Sequence, residues 1–173
     1  MTMSFDPTRA SHLPLLTVAV MATKDEVIEC GGGWGSTPVL ESVCRVMKRR
    51  HTLYEDSRGW AVEMEKLVSQ PVVLIRPTDW GRVGIPRCGV CLVDHAAFAH
   101  RGRALLVERL HGIADVVVVH DTEPEHESVY GWEGCWAAWK YHVVDDRWLP
   151  WTTAVTDNKT AWEIMNRAVK GTL

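Results

Sequence analysis

Residues 27–37 place a short apolar run directly in front of a cluster of glycines, and this stretch constrains the fold more than any other. It reads VIECGGGWGST, with glycines at the alternate positions 31, 33 and 35 and an additional one at 32. Because glycine has no Cβ and tolerates positive φ, a ligand can lie directly against the backbone of such a turn. The stretch therefore predicts a strand, a tight turn and a helix N-terminus, with a nucleotide-like ligand on the turn.

Two arrangements of glycines are relevant to such a ligand. When the dinucleotide fingerprint G-x-G-x-x-G is aligned from Gly31, Ser36 occupies the position of its third glycine, so the fingerprint is incomplete. A carboxylate at Glu29 would also repel a pyrophosphate. The spacing E-x-G-x-G-x-G, from Glu29 through Gly31, Gly33 and Gly35, instead resembles the motif of class I S-adenosylmethionine-dependent methyltransferases.

This resemblance implies a cofactor and a set of contacts. In the family resembled, the glycines pass under the cofactor and the acid helps to hold its methionine end. An NAD-dependent oxidoreductase and a non-catalytic partner protein of related fold are the alternatives, since a glycine-rich turn by itself is a weak signal. The residues assigned to S-adenosylmethionine in this loop are Glu29, Gly31, Gly33, Trp34, Gly35 and Ser36.

Predicted strands and helices alternate along the rest of the chain. The run 114–120 is apolar nearly throughout, as expected of a central parallel strand that is covered on both faces. The short connection between the last two predicted strands favours antiparallel pairing. We predict an α/β, doubly wound, Rossmann-like sheet, mostly parallel with an antiparallel C-terminal edge hairpin, similar to the methyltransferase fold. The predicted strands are 26–30, 51–55, 71–76, 89–94, 114–120, 141–145 and 152–156, and the predicted helices are 12–23, 37–50, 57–68, 101–112 and 160–170.

Length and composition narrow the class of protein further. A chain of 173 residues predicts one domain spanning 1–173, with residues 1–11 loosely held. The net charge of −3 provides no global basic field, so a nucleic-acid partner is not expected. The chain has five cysteines, an odd number, which indicates reduced thiols. It has no apolar run of membrane length and no export signal, so we expect a cytoplasmic protein. The oligomeric state stays open, with a homodimer among the alternatives.

The acids that follow the second and third predicted strands suggest an adenosine site. Ligands of doubly wound sheets bind outside the carboxyl ends of the strands. Glu55 and Asp56 end the second strand, and a carboxylate there can accept two hydrogen bonds from a ribose diol; in the family resembled, Glu55 matches this acid best. Asp79 is expected to take the adenine amino group and Trp80 to pack on the adenine face. The alternatives are a solvated helix-capping Glu55 and a core Trp80.

The ends of the fourth and fifth predicted strands suggest the catalytic groups. Asp94, His120 and Asp121 are expected to converge near the cofactor's methyl group, where Asp94 also contacts the cofactor. His120 or His95 is the candidate general base, because imidazole titrates near neutral pH. The alternative is that the carboxylates simply face water.

A Mg²⁺ site is the metal hypothesis at this edge. Catechol-type methyltransferases of this fold place acids after strands four and five around Mg²⁺, and this resemblance assigns Asp94 and Asp121 as ligands. Glu123 or Glu125 would supply a third oxygen, since Mg²⁺ prefers oxygen ligands.

The aromatic residues after the fifth strand suggest the acceptor site. Tyr130 and Trp132 are predicted to contact a planar, sugar or peptide substrate, whereas Trp136 and Trp139, three residues apart, are expected to anchor a helix in the core. The sequence thus predicts a methyltransferase that methylates an oxygen of a small-molecule, sugar or peptide acceptor.

Overall fold

One seven-stranded sheet forms the centre of the protein. The computed structural model describes residues 10–96, 102–132 and 134–172. Within these ranges the strand order is β3-β2-β1-β4-β5-β7-β6. Strand β7 runs antiparallel to both of its neighbours, β5 and β6, and the other pairings are parallel. The strands are β1 (Val27–Cys30), β2 (His51–Glu55), β3 (Val73–Leu74), β4 (Cys88–Val93), β5 (Ala114–His120), β6 (Tyr141–Asp145) and β7 (Thr152–Thr156).

Helices cover both faces of this sheet. One face packs against α1, α2 and α6, and the other against α4 and aromatic side chains that include Trp80, Trp132 and Trp139. The α-helices are α1 (Leu13–Ala22), α2 (Ser36–Val46), α3 (Arg58–Met64), α4 (Gly102–Arg109), α5 (Glu127–Tyr130) and α6 (Lys159–Val169).

The predicted fold is confirmed, including the antiparallel edge formed by β6 and β7. Strands β2, β5, β6 and β7 have the predicted bounds. The central strand β5 is buried along its length apart from a half-buried Asp115, because both faces of the sheet are covered there. Ser57 caps α3 by accepting a hydrogen bond from the backbone N–H of Trp60.

Several predicted ends are wrong. Helix α2 stops at Val46 instead of residue 50, because Lys48 adopts a left-handed φ of 54° as the chain turns towards β2. Helix α3 stops at Met64 instead of residue 68. Strand β3 shrinks to two exposed residues that pair only with the end of β2.

The predicted loose start is contradicted only at its end, where Ser11 is described and buried, and the predicted tryptophan helix needs correction. Residues 1–9 lie outside the described residues, but Ser11 and His12 are buried, so the chain is already packed there. Trp136 lies in a short 3-10 helix, Cys135–Ala138, and Trp139 follows it; Trp139 is buried as expected of a core anchor.

All five cysteines are buried free thiols. Among the described helices, none combines the length and apolar character needed to cross a membrane.

Candidate functional site

The glycine loop, residues 31–35, leaves β1 with a backbone that excludes a side chain at its first position. Gly31 has a φ of +93°, and a Cβ there would lie 2.4 Å from the Cα of His95. Gly33 is not crowded by this chain: a Cβ there would lie 3.4 Å from the Ser36 Oγ. The steric constraint within the chain therefore falls on Gly31, and Gly33 borders open space.

Glu29 lies beneath this loop, not in it. Side chains alternate along β1, so Glu29 faces α2 together with Val27. Its carboxylate is fully buried and accepts hydrogen bonds from the Ser36 Oγ at 2.5 Å and the Thr37 Oγ1 at 3.0 Å. In this structure the acid of the E-x-G-x-G-x-G motif therefore connects β1 to the first turn of α2 through hydrogen bonds.

Glu55 ends β2 beside the glycine loop, as predicted, but its carboxylate is already bonded to backbone amides. One oxygen accepts from the N–H of Gly32 at 3.0 Å, and the other accepts from those of Asp56 at 3.0 Å and Ser57 at 2.9 Å. Burial raises the pKa of Glu55, and the three backbone hydrogen bonds oppose that shift. Glu55 therefore ties the end of β2 to the glycine loop.

Of the two residues predicted to contact adenine, Trp80 is buried and Asp79 lies at the surface. Trp80 is 1% exposed and stacks on His95, with ring centroids 4.0 Å apart and 6° between the planes. Its indole N–H donates to the Asp56 carboxylate at 2.7 Å. Asp79 lies at the surface, paired with Arg76 and Arg82. The structure brings Asp56 and Trp80 together but not Asp79.

A cavity of about 300 Å³ lies against the glycine loop, and we call it the glycine-loop pocket. The loop's backbone forms one side of it, and the ends of β4 and β5 form another. Trp34, 40% exposed, and Trp60 add two indole rings that meet edge to face at 5.8 Å. The described residues that line it are His12, Gly32, Gly33, Trp34, Gly35, Ser36, Trp60, Asp94, His120, Asp121 and Pro150.

The three predicted catalytic residues converge in this pocket. The His120 Nδ1 lies 3.2 Å from the Asp94 Oδ1 and 3.5 Å from the Asp121 Oδ1. They converge because β4 and β5 are adjacent parallel strands, so their carboxyl ends meet at one edge of the sheet. Asp121 also has a left-handed φ of 59°, which marks a sharp turn directly after β5.

Arg103 holds the residues of this edge together, and no pattern in the sequence predicted it. Its guanidinium is 4% exposed and donates to the backbone carbonyls of His95 at 2.7 Å and His120 at 3.0 Å. It also bridges the carboxylates of Asp94, at 3.3 Å, and Asp121, at 3.0 Å. An arginine inside a helix carries no sequence signal for such a role, because only the packing of α4 brings it to the ends of β4 and β5.

The charges in the pocket shift the pKa values of its acids and bases. Burial alone would raise the pKa of Asp94, but the hydrogen bond from His120 and the charge of Arg103 outweigh it and lower that pKa to about 2. Burial alone would lower the pKa of His120, but the Asp94 and Asp121 carboxylates outweigh it and raise it. Burial lowers the pKa of His12 to about 4 and that of His95 to about 3. Of these three histidines, His120 is therefore the one whose protonated form its surroundings favour.

The predicted Mg²⁺ site does not fit this arrangement. Arg103 already bridges Asp94 and Asp121, the two carboxylates that were to share the ion. Glu123 instead pairs with His126 at 3.2 Å, and Glu125 is exposed to solvent. The oxygen-rich ligand set that Mg²⁺ requires is therefore not assembled by these residues.

A second cavity, of about 260 Å³, contains one of the two predicted substrate residues, and we call it the tryptophan pocket. Trp132 lines it and stacks on Trp136 at 5.2 Å. Tyr130 contacts a lining residue of each pocket: its hydroxyl donates to Asp121 at 3.3 Å, and its ring lies 5.1 Å from that of Trp132 and under the Arg103 guanidinium at 4.4 Å. The lining residues are Thr122, Glu123, Pro124, Glu127, Trp132, Trp136, His142, Val144, Trp151 and Thr153.

Solved structures resemble this chain in fold. A probable spermidine synthase from Corynebacterium glutamicum aligns with a TM-score of 0.64 at 15% identity, over 96% of this chain and 71% of that one. The SAH-bound methyltransferase PaMTH1 of Podospora anserina aligns with a TM-score of 0.56 at 16% identity, over 89% of this chain and 79% of that one. Mitomycin 7-O-methyltransferase MmcR aligns with a TM-score of 0.51 at 12% identity, over 83% of this chain and 53% of that one. No family model matches the sequence, and no curated protein sequence matches it either.

The strand order and these neighbours define the fold class. The chain has the fold of class I S-adenosylmethionine-dependent methyltransferases, as the glycine motif predicted. Because the sequence identities are 16% or less, these structural similarities establish the fold alone. The reaction and the acceptor have to be argued from the site.

Proposed function

We propose that this protein is an S-adenosylmethionine-dependent methyltransferase that methylates an oxygen of a small-molecule, sugar or peptide acceptor. The observation that carries the proposal is that one pocket is bordered by both the glycine loop and the Asp94–His120–Asp121 group. This pocket lies at the carboxyl ends of the strands, where doubly wound sheets bind their ligands.

The residues of the loop fit the cofactor. The space beside Gly33 is open, and the backbone of Gly32, Gly33 and Gly35 lines the pocket without side chains, so a ligand can lie directly on it. S-adenosylmethionine, when bound, supplies an electrophilic methyl group to the acceptor. Trp34 and Ser36 would flank its methionine half, and Glu55, next to Gly32, would exchange backbone amides for ribose hydroxyls.

His120 is the proposed general base. An acceptor hydroxyl has to lose its proton as it becomes a nucleophile, and a nearby imidazole can receive that proton. Asp94 and Asp121 face the Nδ1 of His120, so they orient the ring and stabilise its protonated form. Arg103 holds both carboxylates in place.

The acceptor is proposed to reach towards the tryptophan pocket. Asp121 lines the glycine-loop pocket, and the next two residues, Thr122 and Glu123, line the tryptophan pocket. Tyr130 and Trp132 would present aromatic surface to a planar, sugar or peptide group along this path.

Calorimetry with the purified chain tests the cofactor. We expect binding of S-adenosylmethionine and S-adenosylhomocysteine and no binding of NAD. Gly33→Val should abolish this binding in a folded protein, because the side chain fills the pocket. Gly84→Val is the matched control: Gly84 is exposed and its Cβ would meet nothing within 4 Å. NAD binding without S-adenosylmethionine binding would establish the oxidoreductase alternative.

The second candidate function is that of a non-catalytic protein with a methyltransferase fold. The observation that favours it is that Glu55 and Asp56, the two acids assigned to the adenosine half, are bonded to this chain's own amides and to Trp80. If a folded protein binds none of the three ligands (S-adenosylmethionine, S-adenosylhomocysteine and NAD) in the calorimeter, this function replaces the methyltransferase.

A further inference from the structure

His12, Asp94 and His120 form a compact group of metal-ligand side chains on the wall of the glycine-loop pocket, and we call it the His12 cluster. Each side chain offers one nitrogen or oxygen atom, and these three atoms lie within 4.8 Å of one another. Neighbouring ligands of a tetrahedral metal ion lie about 3.4 Å apart, so small side-chain rotations would close the cluster around an ion.

His12 gives an independent sign of a missing ligand. It precedes α1, and its side chain is 2% exposed. Among the described residues, neither of its ring nitrogens has a hydrogen-bond partner. Buried polar atoms nearly always have a partner, because leaving one unpaired costs free energy. An ion in the pocket would satisfy one of these nitrogens directly.

Asp94 has an oxygen available for a ligand, whereas His120 would exchange its contact with the Ser11 hydroxyl for one. The contacts of Asp94 with His120 and Arg103 both use Oδ1, which leaves Oδ2 without a partner among the described residues. His120 contacts carboxylates through Nδ1 and the Ser11 hydroxyl through Nε2 at 2.9 Å. Histidine ligands of metals commonly bond a carboxylate through their second nitrogen, which is the pattern that Asp121 can provide here.

The charge and donor set indicate the kind of ion. Two carboxylates, Asp94 and Asp121, face one guanidinium, that of Arg103, so one negative charge remains uncompensated while His120 is neutral, as it must be to bind a metal. Two imidazoles and one carboxylate suit divalent transition metals, whereas Mg²⁺ prefers an all-oxygen set. We propose that the His12 cluster binds one divalent transition-metal ion, with Zn²⁺ as the probe, and leaves further coordination positions open to the pocket.

This proposal concerns metal binding and does not depend on methyl transfer. The ion is tested without S-adenosylmethionine, so a protein that fails to bind the cofactor can still bind the metal. Where both functions hold, His120 would serve as a ligand, and the ion would supply Lewis-acid activation of an acceptor hydroxyl in place of the imidazole base.

The experiment is a calorimetric titration of the chelator-treated full chain with Zn²⁺, repeated with Co²⁺ followed by visible absorption. We expect one ion per chain and a Co²⁺ spectrum of nitrogen and oxygen ligands without thiolate bands. His12→Gln and Asp94→Asn should each weaken Zn²⁺ binding by at least about 100-fold. His111→Gln is the control, since His111 is a surface residue paired with Asp157.

Each result decides the proposal. If His12→Gln fails to fold, His12→Leu, which keeps a similar side-chain volume, and Asp94→Asn carry the test, with circular dichroism as the check of folding. Absence of stoichiometric Zn²⁺ binding overturns the proposal. So does Zn²⁺ affinity that is equal in the wild type and the folded cluster variants, or a Co²⁺ spectrum dominated by thiolate.

Discussion

The imidazole of His51 lies 3.1 Å from the carboxylate of Glu29, and both side chains are buried beneath the glycine loop. The other ring nitrogen of His51 lies 3.3 Å from Glu41 on α2. Since Glu29 also accepts from the hydroxyls of Ser36 and Thr37, this pair connects β1, β2 and α2. The acid of the glycine motif thus supports the loop from below.

The first prediction concerns pH. Burial alone would lower the pKa of His51, but its contacts with Glu29 and Glu41 outweigh burial and raise it. A histidine pKa that is higher in the folded state stabilises the fold below the unfolded pKa of about 6.5, and this stabilisation is lost as pH rises through the folded pKa. We expect the difference in unfolding free energy between wild type and His51→Gln to shrink over that range. Urea titrations at a series of pH values measure it, with His111→Gln as the surface control; a difference that grows with pH would contradict the assignment.

The second prediction concerns the start of the glycine loop. Gly31→Ala should destabilise the protein by more than about 3 kcal/mol, because the backbone is left-handed and the new Cβ meets the backbone of His95. Gly84→Ala should change the unfolding free energy by no more than about 0.5 kcal/mol. Urea unfolding of both variants measures the contrast, and equal stabilities would show that the loop can relax away from β4.

The third prediction concerns Arg103. Arg103→Met should cost about 3–5 kcal/mol of unfolding free energy, because Asp94 and Asp121 would lose a buried partner. Arg87→Met, which removes an exposed pair with Asp115, should cost no more than about 1 kcal/mol. Thermal or urea unfolding compares the two variants. Similar small losses in both would mean that Arg103 does not hold the ends of β4 and β5 together.

The fourth prediction concerns the catalytic group. Once an acceptor is found by screening with labelled S-adenosylmethionine, we expect His120→Gln to lower kcat by about 10²–10⁴-fold, the usual contribution of a general base. The Kd of the cofactor should stay within about 3-fold, since a group that acts only in the transition state does not bind the ground state.

The matched comparisons for this prediction are Asp94→Asn, Asp121→Asn and the exposed Glu125→Gln. The two aspartate variants should lower kcat, and Glu125→Gln should not. For the metal-free protein, the raised pKa of His120 also predicts that activity increases as pH rises through that pKa, because only the neutral imidazole accepts a proton. Full activity in all three variants of the catalytic group would remove the site assignment.

Much of the fold was accessible from local sequence patterns. The apolar run 114–120 predicted a central strand, and the spacing of Glu29, Gly31, Gly33 and Gly35 predicted the loop. The meeting of Asp94 with His120 was also predictable, since the ends of adjacent parallel strands share one edge. Helix and strand ends were less accessible: β3 is short because it pairs only with the last residues of β2, a fact that no local pattern contains.

The tertiary structure alone decided how the side chains of the site are used. The sequence determined that Glu29 and Glu55 stand near the ends of strands and that glycines follow Glu29, because strand periodicity and turn chemistry are local. It could not determine that Glu29 turns towards α2, that Glu55 bonds to backbone amides, or that Arg103 and His12 reach the ends of β4 and β5. Those outcomes depend on which helix packs on which face of the sheet, and hence on contacts between residues far apart in the chain.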